Sequence, residues 1–119
     1  MDDQKLQDSI KLLGKALKAY LQEPSDALRL AALSKSFETA FEYTWKYFKR
    51  TADKAGMEVY SPRDSLKAAL QLGLISDFEM WSEFLNARNL SVHDYIGINT
   101  QQFFEVATKF EKEVKKIKA

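Results

Sequence analysis

Apolar residues recur along this chain at alternating intervals of four and three positions, the spacing of one face of an α-helix. The first such stretch ends at Glu23, because a residue before proline is pushed out of the α region and Pro24 follows. A second stretch runs from about Asp26 to Ala55, with Ser25 predicted as its N-cap and Gly56 as the residue that ends it. The two apolar stripes are Leu6, Ile10, Leu13, Leu17 and Tyr20, and Leu30, Leu33, Phe37, Phe41, Trp45 and Phe48.

The second half of the chain predicts three further helices. Ser61 as N-cap, Pro62 at the first helical position and an acidic first turn open a short helix that stops at Gly73. Asp77 is predicted to cap a fourth helix, and Asn99 a fifth. Their apolar residues at helical spacing are Leu66, Ala69 and Leu70; Phe78, Trp81 and Leu85, with Phe84 widening the face; and Phe103, Ala107, Phe110, Val114 and Ile117. The pattern predicts an all-α fold: an antiparallel up-and-down helical bundle with a four-helix core, one arm of which is broken into short helices.

Two features of the second helix leave alternatives open. Tyr43 and Tyr47 lie off its apolar stripe, which fits either a second, partner-facing side or tyrosines at the edge of the core. Glu38 and Glu42 sit one turn apart among aromatic residues. Partial burial there would require a cationic or hydrogen-bonding partner, for which Arg88 is a candidate.

Composition narrows the class of protein. With 119 residues, one domain covering 1–119 is expected, and 4 glycines with 2 prolines agree with an all-α chain. The absence of cysteine excludes disulfides and thiolate zinc sites and fits a cytoplasmic protein. No apolar run approaches the ~18 residues of a membrane span, so no membrane association is expected. A net charge of +1 argues against a protein that coats nucleic acid.

The last helix is locally basic. A solvated face that complements the helix dipole is the favoured interpretation, and steering of a polyanion is the alternative. The charges concerned are Lys109, Lys112, Lys115, Lys116 and Lys118, against Glu111 and Glu113.

The stretch from Arg88 to Tyr95 contains the only histidine, His93, together with Asn89. Arginine is a permanent cation whose planar fork suits phosphate, and histidine can take and return a proton near neutral pH. The mixture therefore suggests phosphate-ester or nucleotide chemistry if the side chains converge. The alternative is a surface arginine, an asparagine C-cap and a loop histidine.

Convergence is a geometric question, because residues five apart in an unbroken helix differ by about 140° around its axis. The helix can end near Asn89, so that the chain folds back and brings His93 to Arg88. Otherwise a two-fold axis can set Arg88 of one subunit against His93 of another. A chain with a single histidine builds a two-histidine site only by pairing with itself.

Other kinds of site are disfavoured. One histidine and no cysteine leave only carboxylates as further metal ligands, so no metal is expected. A triad of Ser91, His93 and Asp94 is discounted, since neighbours in one short segment do not align in series. No glycine-rich phosphate loop is present, and no cofactor is expected.

The chain resembles small proteins of the HEPN superfamily, specifically the nucleotidyltransferase substrate-binding proteins or HepT-like toxins. The resemblance extends from about Leu6 to the last helix. It is carried by Phe37 to Lys46, Ser61-Pro62-Arg63, Ala68 to Ile75, Trp81, and Arg88 to Tyr95 with its R-x4-H-x-Y pattern.

The resemblance implies a homodimeric helical bundle that forms a complex with a cognate minimal nucleotidyltransferase. It also implies a metal-independent ribonuclease with RNA as substrate, in which Arg88, Asn89 and His93 are the catalytic residues. Tyr95 matches the tyrosine that the partner enzyme nucleotidylates to silence the toxin. The alternatives are a non-catalytic substrate-binding subunit of the nucleotidyltransferase and a purely structural bundle.

Overall fold

A computed structural model describes residues 3–93 and 99–117 of the chain, with the side chains of all of these except 91–93. This part of the chain forms five helices. They are α1 (Gln4–Gln22), α2 (Ala27–Lys54), α3 (Pro62–Gln71), α4 (Phe78–His93) and α5 (Thr100–Val114). No strand occurs in this part of the chain, so the all-α prediction is confirmed. None of the helices within these ranges is long and apolar enough to cross a membrane.

Side-chain caps begin the helices largely where the sequence predicts them. The Ser61 hydroxyl accepts from Asp64 N at 3.1 Å, and Asp77 accepts from Met80 N at 3.0 Å. Asn99 accepts from Gln101 N at 2.9 Å and from Gln102 N at 3.2 Å. Each bond satisfies a backbone donor that the first helical turn leaves without a partner.

The predicted cap of α2 is wrong by one residue. Asp26, not Ser25, is the N-cap, and its carboxylate accepts from Leu28 N at 2.8 Å. The carboxylate also lies 3.4 Å from Arg29 Nε. Aspartate caps as well as serine does, and this additional ion pair favours the later start.

The helices pack as an antiparallel ring. α1 contacts α2 and α5, while α4 contacts α2, α5 and the short α3. The ion pair between Asp3 and Arg50 joins the start of α1 to the end of α2, as antiparallel neighbours require. α1 and α4 therefore lie diagonally across the bundle, with α3 attached beside α2 and α4.

Aromatic rings fill the centre of the bundle. Phe110 of α5 is fully buried and lies 5.4 to 5.8 Å, ring centre to ring centre, from four other aromatic side chains on α2 and α4. These are Phe37, Phe41, Trp81 and Phe84. Most of these pairs meet edge to face, the arrangement that aromatic quadrupoles favour.

Three details differ from the sequence pattern or decide between its alternatives. Leu70, one of the apolar residues of the short helix α3, is 40% exposed. Tyr43 and Tyr47 are half-buried and pack against the core, which supports the core-edge interpretation. α4 is a full-length member of the bundle with 16 residues, one more than α5, so only α3 is a short helix among those described.

Candidate functional site

An ion pair between Arg88 and Glu42 joins α4 to α2. Arg88 Nη2 donates to Glu42 Oε1, and the two side chains are only 26% and 29% exposed. The prediction that a glutamate of α2 needs a cationic partner is therefore confirmed for Glu42. Glu38, one turn earlier, is also partly buried.

Asn89 takes part in the same arrangement from its exposed position. Arg88 Nη1 donates to Asn89 Oδ1 at 3.0 Å, so the guanidinium bridges a carboxylate and an amide. Because α4 continues beyond Asn89, the interpretation of this residue as a helix C-cap is wrong. Its amide nitrogen is a donor at the surface next to the guanidinium.

The length of α4 excludes one of the two geometries considered for His93. The helix runs without a break from Phe78 to His93, so the chain does not fold back near Asn89. Positions 88 and 93 lie on one continuous helix, about 7.5 Å apart along the axis and about 140° apart around it. The side chain of His93 and the whole of Tyr95 lie outside the described residues.

Two further side chains, Trp45 on α2 and Ser82 on α4, each contain a buried polar atom that the sequence pattern did not indicate. Trp45 Nε1 and Ser82 Oγ have no hydrogen-bond partner within the described part of the chain. Trp45 lies one turn beyond Glu42, and Ser82 follows Trp81, whose ring packs on Phe48 at 5.4 Å. A buried polar atom without a partner costs roughly 1–3 kcal/mol.

A separate surface groove of about 390 Å³ lies between α4 and α5. Ala87, Leu90 and Val106 provide its apolar lining, and Glu83, Glu105 and Lys109 are among its charged residues. Arg88 does not line it, so the groove and the ion pair occupy different sides of α4. Among the described residues, no group of three or more His, Asp or Glu side chains is arranged to hold a metal ion.

Comparison with known proteins identifies the family. Residues 2–119 match the family model described as "Nucleotidyltransferase substrate binding protein like". The chain belongs to this family. The resemblance noted in the sequence is thereby confirmed, and it covers the helices that carry Glu42 and Arg88.

A curated relative of this family member is named "Probable ribonuclease HepT", from Haemophilus influenzae. It is 32% identical over 75 residues, which is 59% of this chain and 51% of the relative. The chain thus spans about half the length of that relative in the match.

Solved structures share the fold. A protein of Thermus thermophilus superposes with a TM-score of 0.79 at 21% identity, covering 92% of both chains. A tri-AMPylated HEPN toxin of Shewanella oneidensis, solved in complex with the MNT antitoxin, gives a TM-score of 0.69 at 19% identity, covering 94% of this chain and 92% of that one. At these identities the likeness concerns the fold alone. That fold is the helical bundle that the apolar pattern of this chain predicts.

Proposed function

We propose that this protein is the HEPN component of a two-gene nucleotidyltransferase/HEPN toxin–antitoxin system. It acts as a cytoplasmic homodimer and as a metal-independent ribonuclease, and a cognate minimal nucleotidyltransferase neutralises it. Arg88, Asn89 and His93 are the proposed catalytic residues, and Tyr95 is the proposed site of nucleotidylation.

The observation that carries this proposal is the Arg88 arrangement on an uninterrupted helix. Glu42 holds one edge of the guanidinium, and Asn89 accepts from Nη1 beside it. A guanidinium fixed in this way loses less side-chain entropy when it meets a phosphate than a freely rotating one does. The carboxylate that fixes the guanidinium comes from another helix and is itself only 29% exposed.

The straight course of α4 supports the homodimer. Positions 88 and 93 face about 140° apart on one helix, so a single protomer does not present both to one phosphate across the helix axis. A two-fold axis beside α4 brings Arg88 of one protomer toward His93 of its partner. The same operation creates two equivalent Arg–His sets in one cleft.

The proposed reaction balances without a metal. Neutral His93 accepts the proton of the RNA 2′-hydroxyl, and the 2′-oxygen attacks the adjacent phosphorus. Arg88 stabilises the added negative charge on the phosphoryl oxygens in the transition state. The imidazolium then returns the proton to the leaving 5′-oxygen. The products are a 2′,3′-cyclic phosphate and a 5′-hydroxyl.

RNA cleavage by the isolated protein tests this function. The protein is incubated with RNA in the presence of a metal chelator, beside His93→Ala and Arg88→Ala. We expect cleavage by the wild-type protein with 2′,3′-cyclic phosphate ends, and losses of about 100-fold or more in either variant. Equal cleavage by all three proteins, or none by any, contradicts the proposal.

Nucleotidylation is tested separately. The partner enzyme transfers AMP from ATP to the Tyr95 oxygen and releases pyrophosphate, which adds bulk and negative charge two residues from His93. Mass spectrometry after mixing the protein with the partner and ATP should show AMP on Tyr95, with Tyr95→Phe as control. An adduct that persists in Tyr95→Phe places the modification elsewhere.

A second candidate function is favoured by the ion pair itself. Arg88 already has a carboxylate counter-charge, which suits a residue that holds α2 and α4 together in a non-catalytic substrate-binding subunit. In that case the protein binds its nucleotidyltransferase and no RNA is cleaved. Co-purification of the complex, together with the RNA assay above, distinguishes the two functions.

A further inference from the structure

The outer face of α1 carries a row of lysines. Lys11, Lys15 and Lys18 lie four and three residues apart, so they project from one side of the helix over roughly 10 Å. All three are exposed, and none forms an ion pair or a hydrogen bond with another side chain in the described part of the chain. They face away from the core stripe that contains Leu13 and Leu17.

This row makes α1 strongly basic in a chain that is nearly neutral. The helix contains four lysines and one aspartate, a net charge of +3, whereas the whole chain has +1. The basic end of α5, by contrast, is partly neutralised within itself. Lys115 pairs with Glu111 at 2.8 Å, and Lys116 with Glu113 at 3.0 Å.

A shallow groove extends the row toward α5. It measures about 260 Å³ and is lined by Gln7, Ile10, Lys11 and Lys115. The ion pair with Glu111 holds the Lys115 ammonium group beside this groove. The three ammonium groups of the row and the one held at the groove therefore line one side of the bundle.

We infer that this α1 face, defined by Lys11, Lys15 and Lys18, is a docking surface for the phosphodiester backbone of RNA. The choice of RNA as the ligand rests on the proposed ribonuclease function. α1 lies diagonally across the bundle from α4, so the surface is distinct from the Arg88 site. RNA that engages both must pass around the bundle, which selects long or folded RNA over a dinucleotide.

The composition of the face favours a polyanion over a protein partner. Lysine is depleted in protein–protein interfaces, whose centres are apolar, aromatic and poor in charge. The exposed large apolar side chains of α1 are Leu12 and Leu21, which lie nine residues apart, about 13 Å along the helix, so they do not adjoin each other beside the lysines. Regularly spaced ammonium groups match a backbone that presents one negative charge per nucleotide.

The test measures binding without cleavage. A fluorescent RNA carrying 2′-O-methyl groups lacks the 2′-hydroxyl nucleophile, so its affinity is read independently of ribonuclease activity. The variant Lys11→Gln/Lys15→Gln/Lys18→Gln should bind it about 10- to 100-fold more weakly. The slope of log affinity against log salt should fall by about 2, since each phosphate contact on a single strand contributes about 0.7.

A matched control separates this surface from net charge. Lys35→Gln/Lys46→Gln/Lys67→Gln removes the same three charges from lysines of α2 and α3. It should keep most of the wild-type affinity and salt slope. Circular dichroism verifies that both triple variants are folded, and the single variant Lys15→Glu provides a second, milder test.

The outcomes are decisive in either direction. Equal weakening by both triple variants, or undiminished binding by the α1 variant, overturns the docking surface. So does a wild-type protein that binds no RNA while the α1 variant loses its complex with the nucleotidyltransferase, since the face then docks a protein. RNA that binds through α1 but is not cleaved leaves this surface standing and removes only the ribonuclease function.

Discussion

Replacement of Glu42 by glutamine probes the ion pair that holds Arg88. The substitution keeps the size and one acceptor oxygen of the side chain but removes its charge. The guanidinium, 26% exposed, then stays partly buried beside α2 and loses the negative charge of Glu42. We expect Glu42→Gln to lower both the stability of the fold and the order of Arg88.

The magnitude follows from the burial of the pair. Exposed ion pairs contribute about 0–1 kcal/mol, whereas removal of one partner of a buried pair costs about 3–5 kcal/mol. The Arg88–Glu42 pair lies between these limits, with both side chains between a quarter and a third exposed. We therefore expect a loss of about 1–2 kcal/mol in the free energy of unfolding, because the retained amide oxygen still accepts a hydrogen bond.

Urea denaturation followed by circular dichroism measures this loss. The midpoint should fall by about 1 M with the slope unchanged. Protein concentration is held constant, because the proposed dimer would couple stability to concentration. Asp53→Asn is the matched control, since it breaks the more exposed Lys49–Asp53 pair of 3.1 Å within α2 and should shift stability by less than about 0.5 kcal/mol.

A double-mutant cycle makes the reasoning refutable. If the cost of Glu42→Gln comes from removing the carboxylate charge beside the partly buried guanidinium, adding Arg88→Gln should recover part of it rather than add to it. An additive double variant, or a Glu42→Gln loss no larger than that of Asp53→Asn, refutes the view that Glu42 neutralises and positions Arg88.

Three further substitutions test the packing of the bundle and the capping of its last helix. Gly14→Ala should raise the free energy of unfolding by between zero and about 1 kcal/mol, because alanine is the better helix former. The added Cβ would meet only the flexible end of Glu111, whose Oε2 lies 2.9 Å from the position of that Cβ. A thermal midpoint lowered by several degrees would show that this carboxylate cannot move. Phe110→Ala should cost about 3–5 kcal/mol, since it leaves a cavity among four rings, and a loss below about 1 kcal/mol in urea unfolding would contradict its central position. Asn99→Ala should cost about 1 kcal/mol by removing the cap of α5, measured the same way, whereas Asn99→Asp should be nearly neutral because it retains the acceptor.

Much of the fold follows from the sequence because helix signals are local. Spacing by threes and fours, the caps at Ser61, Asp77 and Asn99, and the left-handed turns at Gly56 and Gly73 depend on residues within a few positions of each other. The cap at Asp26 was missed because neighbouring Ser25 and Asp26 are equally good candidates. Only the contact with Arg29 distinguishes them.

The sequence by itself determined that the chain forms a helical bundle and that Arg88, Asn89 and His93 are the residues to examine. Only the tertiary structure decided that Glu42, 46 positions away in the chain, is the partner of Arg88. It also decided that α4 continues to His93, so that positions 88 and 93 lie on one unbroken helix. The physical reason is that periodicity records which face of a helix is buried, whereas ion pairs and helix register depend on which helices become neighbours once the core has packed.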